Sequence, residues 1–559
     1  MSGHGKDAVR LCEHVVRQAF GGVVTRVASI LLNRGRLPFP YIIRLAGLPR
    51  PTVAAALLLL MQHNLVLSNG VHLRTDPEGL EEMYEFAVPD CLHRLRWGRM
   101  LAMTQERLGG VAMEVVRMVM VYGKLTPGDV MRVMSAEGDG QRMAAVQEAA
   151  VELVRNGLLQ PTCPELHVIE SDLIQRRFAA KKRQLIKDTG FTMPSAQTLA
   201  DLNAKSAYEI ETEREELRSL GKVLIKTPKV GKKKKAKEEF DYSLRPDVTL
   251  RINNDRYGVL IRDELVVKAA EDRWNKGAAE VVRAVLAASL DEESTLKDTR
   301  TLADVGFNEI VERIPNKAYP TLMAGLQGMS SKSTGEIVRT YLAILAGEDQ
   351  MLANGGAFLR KEGSSSNPGF KVELESIAVR LRASLLSELV RQRLNDPAAR
   401  VLAVVAKAQI ASETTVRDCA MLPLREARKI LSELQKMSIV ETQEVPKTAA
   451  KMRTGLPSSA EYHLWQVDLP RVYNALLASV YKTIANAIQR KSAEVEKRKL
   501  VLDREARSMG VGGRDRLQQK DQEDLAELDG IVKKLTIAAA RSELVVFILR
   551  DLPGWPDKW

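Results

Sequence analysis

The residues of this chain able to do acid–base, nucleophilic or metal chemistry are scattered. Seven histidines stand at His4, His14, His63, His72, His93, His167 and His463, and none forms an H-E-x-x-H or comparable ligand pair. Cys12, Cys91, Cys163 and Cys419 have neither zinc-ligand nor redox spacing, so a reducing compartment is expected and a cysteine metal site is not. The acidic string at 291–293 sits beside Ser and Thr and reads as a solvated helix start or loop. There is no triple-aspartate motif and no G-x-x-x-x-G-K-[ST] phosphate loop, and STGE at 333–336 reads as a helix cap. No catalytic residue, metal or cofactor is expected, and the isolated chain should neither hydrolyse NTPs nor polymerise RNA.

What remains is contact between cations and phosphate. Residues 226–237 read KTPKVGKKKKAK, with seven lysines and no acid. Lys232, Lys233, Lys234 and Lys235 suit an import signal, a nucleic-acid tether or an inert linker. A loop PKTAAKMRTGLPSS carries Lys447, Lys451 and Arg453 and no acid. It is either a phosphate contact or a solvated tip. The segment LREARKILSELQKM carries Arg425, Arg428 and Lys429, which either touch phosphates or lie on a solvated face with Glu426 and Glu433 as partners. By contrast TVAAALLLLMQH, from Thr52, has no Lys or Arg. Such a helix packs against protein, because base edges need Arg, Lys, Asn or Gln.

The scaffold for these segments is large. The chain has 559 residues, 45% hydrophobic and 28% charged, with a net charge of +12. That length suits roughly three to five units of about 100–200 residues. Aromatic residues make up only 5%, so Leu, Val, Ile, Ala and Met must fill the cores, which favours helical packing. The basic balance suits an anionic partner. The longest apolar run, 53–61, is too short to cross a bilayer, and residues 1–10 lack a signal-peptide core.

Apolar residues recur at helical spacing over 8–33, a short helix fits 40–46, and Thr52 can cap a third helix to His63. Asn69-Gly70 between short apolar runs is a two-residue hairpin signal. Three helices and a hairpin are the plan of a winged helix. The plan recurs: Leu60, Leu153, Ala346 and Leu434 are each followed five residues on by Leu65, Leu158, Met351 and Ile439, each opening a strand-like run. The expected domains are winged helices at 1–85, 105–175, 246–385 and 386–468. Residues 176–245 form a polar, lysine-rich and largely disordered linker. A helical hairpin or coiled coil spans 469–545, with a tail at 546–559. In the hairpin Leu476, Val480, Ile484 and Ile488 share a face. The fold class is mainly α with small β-hairpin wings.

MLPLREARKILSEL from Met421, QEVPKT from Gln443, YHLWQV from Tyr462 and YKTIANAIQR from Tyr481, in this order, resemble the C82-type subunit specific to RNA polymerase III. LCEHVVRQAFGGVV and LLMQHNLV resemble that family's opening. The resemblance covers most of the chain and is weakest across 175–245 and 290–335. It implies extended winged helices around a C-terminal coiled coil. It also implies a non-catalytic, nuclear role in transcription initiation, within a three-subunit subcomplex of the polymerase. Expected partners are the other polymerase subunits and promoter DNA, with neither a membrane nor a second copy of the chain. The alternative is a free-standing winged-helix transcription factor.

Overall fold

A computed structural model of the chain describes residues 5–70, 81–134, 140–189, 195–219, 224–228, 240–291, 294–326, 333–347, 357–362, 368–446, 461–508 and 517–554. It is mostly helical, with small antiparallel sheets. The chain divides into two units, Met1–Tyr257 with Ile484–Ala540, and Gly258–Thr483 with Arg541–Trp559.

One helix–helix–helix–strand–strand plan occurs four times. In the first copy Lys6–Arg34, Phe39–Ala46 and Arg50–Gln62 precede strands Val66–Ser68 and Met83–Phe86. The first helix is interrupted at Gly21, whose φ is +80. It is long and apolar enough to cross a membrane, but Leu11, Val16, Val27 and Leu31 are buried in the fold. The third helix starts at Arg50 behind Pro49, without the side-chain cap expected of Thr52. A proline at the start costs no hydrogen bond there.

Three copies share one sheet order. A short strand between the first two helices pairs with the second wing strand, which in turn pairs with the first wing strand. Leu37–Pro38, Val305–Gly306 and Ile410–Ser412 supply that short strand. In the second copy a bridge between Leu125 and Leu250 takes its place. The wing strand Leu159–Thr162 pairs with Thr249–Ile252, Leu159 opposite Ile252.

Two expectations change here. Gly70 has φ +66, but Asn69-Gly70 is not a two-residue hairpin turn: the Asn69 amide donates to the Met83 carbonyl, and the partner of Val66–Ser68 is Met83–Phe86. The tight hairpin is therefore replaced by a longer connection, because the residues that extend the sheet are 83–86. Residues 176–245 are not a linker between domains: they belong to an insertion between the two wing strands of the second copy, and the domain boundary at 175 moves accordingly. Nor are their described parts disordered. Helices Glu170–Thr189 and Ala196–Arg218 are tied by Arg177–Glu213 at 2.7 Å and Lys181–Glu209 at 2.6 Å. Strands Leu224–Pro228 and Phe240–Leu244 also pair. The two helices of this charged segment match charges across their contact and also bury Ser206 and Ile210.

Each copy closes its third helix in the same way. The amides of Asn64, Gly157, Gly347 and Ser438 donate to the carbonyls of Met61, Val154, Ile344 and Gln435. All four residues have positive φ, the left-handed turn that ends a helix. In three copies the next amide reaches back five residues. In the third copy the left-handed residue is Gly347 and the wing strand starts at Leu359, while Met351, expected to pair with Ala346, lies outside the described residues. Apolar side chains then fill each core. Val282, Val285, Ile310, Leu342 and Phe370 do so in the third copy. Leu402, Val405, Leu431, Leu434 and Trp465 do so in the fourth.

Candidate nucleic-acid interface

The fourth winged helix positions most of the cationic candidates. Asn395 accepts from the Ala398 amide at 2.9 Å and starts the helix Asp396–Ala408. Ser412 accepts from the Thr415 amide at 3.2 Å and starts Glu413–Ala420. Met421 then makes the turn at φ +54, 84% exposed. The third helix, Leu424–Lys436, buries Ala427, Ile430, Leu431 and Leu434. Apolar residues at that spacing leave Arg425, Arg428 and Lys429 on the solvent side.

These three are not equivalent. Arg428 pairs with Glu413 at 2.7 Å. Its partner sits on the preceding helix, where sequence spacing pointed to Glu426 or Glu433. The exposed wing strands Glu441–Pro446 and Glu461–Gln466 are acidic: Glu441 pairs with Arg471, and Glu444 lies 3.7 Å from His463. Arg425 and Lys429 remain exposed at this end of the domain. Lys447, Lys451 and Arg453 lie outside the described residues, as do Lys232, Lys233, Lys234 and Lys235.

The first winged helix offers a different surface. Val53, Ala56, Leu57 and Leu60 of the third helix are buried, while Leu58 is 67% exposed and Leu59 partly so. Tyr41 and Leu45 on the preceding helix are exposed as well. No cation lies on that third helix beyond Arg50 at its start.

Of the seam residues, Ile484 and Ile488 are buried and Val480 is half-buried. Leu476 instead packs against the core of the fourth winged helix. Further along, the helices Lys499–Ser508 and Gln519–Val546 are joined by Arg504–Asp521 at 3.0 Å. Arg498 reaches Glu527 at 3.0 Å. Both pairs are centred on the same point of the chain, between residues 512 and 513, as an antiparallel pair of helices requires.

Two histidines, His63 and His167, are held neutral rather than poised for acid–base work. Burial, with Arg94 and Lys124 nearby, pushes His63 down to about 4. Burial, with Lys124 and Arg251, pushes His167 down to about 3. Among the described residues, no three His, Cys, Asp or Glu side chains gather as a metal site.

Sequence reasoning missed several residues. Asn275 and Asn395 make the same cap, on Ala278 and Ala398, within R-x-N-x-[GP]-A-A, a repeat that a search for internal similarity would find. Arg183 and Lys187 are exposed one turn apart on Glu170–Thr189. The string RRFAAKKRQLIK signals them. Nothing local signals Arg382, which is buried and bonds only to carbonyls far along the chain.

Comparison with known proteins meets this architecture. A family model described as the RNA polymerase III subunit RPC82 helix-turn-helix domain matches residues 10–67. One described as RNA polymerase III subunit RPC82 matches 148–381, and the POLR3C C-terminal winged-helix domain matches 386–467. The chain belongs to the RPC82 family. This RPC82-family chain is similar to the DNA-directed RNA polymerase III subunit RPC3 of Homo sapiens, 25% identical over 572 residues and 97% of each chain. It is similar to the same subunit of Danio rerio, 24% identical over 89% of this chain and 86% of the relative. The Yarrowia lipolytica subunit is 22% identical over 97% of each chain. A member of the RPC82 family is an accessory polymerase subunit and not the catalytic one.

Proposed function

We propose that the chain acts in the nucleus, in transcription initiation by RNA polymerase III. It docks partner subunits, including two others of an initiation subcomplex, and contacts promoter DNA so as to support strand opening. One observation carries the reading. The third helix of the first winged helix is apolar on its exposed side, whereas the same helix of the fourth exposes Arg425 and Lys429. The first suits a protein surface and the second a phosphate backbone. Lys447, Lys451 and Arg453 extend the cationic end, and Lys232–Lys235 supply an import signal or a tether. The helix carrying Ile484 and Ile488 and the helix Gln519–Val546 form a coiled-coil hairpin that holds the subunit in place. The two ion pairs sharing one centre support that register.

The test is affinity purification of the tagged full-length chain, followed by crosslinking in an open promoter complex. Stoichiometric, salt-resistant recovery of the polymerase is expected for the wild type, with loss on Leu58→Asp. Crosslinks to DNA are expected from the fourth winged helix. A salt-labile association would sink the subunit role, and an open complex without such crosslinks would sink the DNA contact.

A further inference from the structure

We propose that a cavity in the first unit binds a small hydroxylated molecule carrying one phosphate or carboxylate. The cavity measures about 420 Å³, within the range usual for small-molecule sites. It lies where the turn at Gly123 and Lys124 passes the end of the helix Arg50–Gln62. Gly123 has φ +81, and a Cβ there would stand 2.5 Å from the Gln62 carbonyl oxygen, so the turn is held closely against that helix end.

Lys124 supplies the charge. Its Nζ donates to the Met61 carbonyl at 2.7 Å, which leaves two N–H bonds for a ligand. Among the described residues no carboxylate pairs with it. Burial, with Arg251 nearby, holds its ammonium down to about 8, so an anion entering the cavity relieves an uncompensated charge.

The rest of the lining suits hydroxyl groups. Thr162 and Thr249 face each other across the strand pair and both line the cavity. Thr162 Oγ1 lies 3.0 Å from His167 Nε2, and that imidazole is neutral. Thr126 and Asp129 form another part of the lining, tied to each other at 2.7 Å. Asp129 accepts from hydroxyls but repels a second anion, which limits the ligand to one charged group near Lys124. Among the described residues no Phe, Tyr or Trp lines the cavity, so they offer no stacking surface for a nucleobase.

The experiment measures thermal shifts of the purified full-length chain with ribose 5-phosphate as probe, and with ribose and inorganic phosphate in separate arms. A saturable rise is expected with ribose 5-phosphate, a smaller one with phosphate and none with ribose. Lys124→Met removes a charged hydrogen bond and should weaken binding by roughly ten-fold or more. Because Lys124 also caps a helix, Thr249→Val is the second variant, with a several-fold loss expected and the cap intact. No saturable rise with ribose 5-phosphate, or equal binding by Thr249→Val and wild type, overturns the proposal. So does an equal rise with ribose or with phosphate alone.

Discussion

The Leu65 amide donates to the Leu60 carbonyl at 2.9 Å, closing the third helix of the first winged helix and setting the direction of the wing. The same bond joins Leu158 to Leu153 and Ile439 to Leu434. The residue before each donor must take a left-handed conformation, and only one of these three is glycine.

That asymmetry gives the first prediction. Ser438 and Met421 are L-residues at φ +58 and +54, where glycine carries no Cβ penalty. Ser438→Gly and Met421→Gly should each stabilise the fourth winged helix by about 0.5–1 kcal/mol. Gly157→Val, the reverse change at φ +72, should destabilise by about 1–2 kcal/mol. Chemical denaturation of the full-length chain measures all three.

Arg382 carries the second prediction. It is 2% exposed, and its guanidinium donates to the carbonyls of Ile548 at 3.1 Å, Leu552 at 2.6 Å and Gly554 at 2.5 Å. Arg382→Met leaves those carbonyls unsatisfied and should cost roughly 3–5 kcal/mol. Limited proteolysis should then cut the tail after residue 546 much faster than in wild type; equal rates would refute the clamp.

Ile484 is fully buried, so Ile484→Ala should cost about 2–5 kcal/mol. Ile484→Asp should do more and also weaken association with the polymerase. Reversing the inner ion pair, Arg504→Asp with Asp521→Arg, should restore most of what Arg504→Asp alone loses. That loss should be small, since the Arg504 side chain is 57% exposed. Failure of the double variant to recover would argue against the register of the two helices.

The sequence carried the helices and their ends well, because capping and apolar spacing are local. Thr126 before Pro127 and Gly157 after the helix Gly140–Arg155 stand where their types require. It did not carry the pairing of Leu159–Thr162 with Thr249–Ile252. A four-residue strand has no local mark of its partner, and in the first copy Asn69-Gly70 offered Val66–Ser68 a nearer and wrong one. The polar helices of the insertion were undervalued for a related reason. Arg177 and Glu213 attract each other only once the two helices are side by side. In the cationic end, spacing brought out Arg425, Arg428 and Lys429 but not Glu413, which neutralises Arg428 from another helix.

The cationic end gives a salt prediction. Each phosphate neutralised contributes a slope of roughly −0.9 in log K against log salt on duplex DNA. Lys447/Lys451/Arg453→Ala should flatten the slope by up to about 2.7 in reconstituted polymerase, with slower strand opening. Arg425→Ala and Lys429→Ala should each remove up to about 0.9, and Arg428→Ala less, because Glu413 already holds it. Unchanged slopes and wild-type opening would leave a solvated tip.

His167 gives a pH dependence. Its folded pKa, about 3, lies below the unfolded value near 6.5, so the unfolded chain takes up the proton first. Stability contributed by the neutral imidazole is complete above pH ~6.5 and is lost steadily as pH falls towards ~3. His167→Gln keeps a group able to meet Thr162 but does not titrate. It should therefore flatten the decline between pH 7 and 5 in urea denaturation, and an unchanged decline would place the proton uptake elsewhere.

The insertion inside the second wing also has a consequence in time. Leu159–Thr162 leaves the ribosome well before Thr249–Ile252. At about 5–20 residues per second the interval is on the order of 4–17 s. Until then the second winged helix has no closing strand, and Leu159–Thr162 presents an unpaired sheet edge. Strand 249–252 thus sets the earliest moment at which the second winged helix of the newborn chain can close its sheet. Synonymous codon changes that slow translation across 170–245 should raise chaperone dependence without altering one residue of the finished protein.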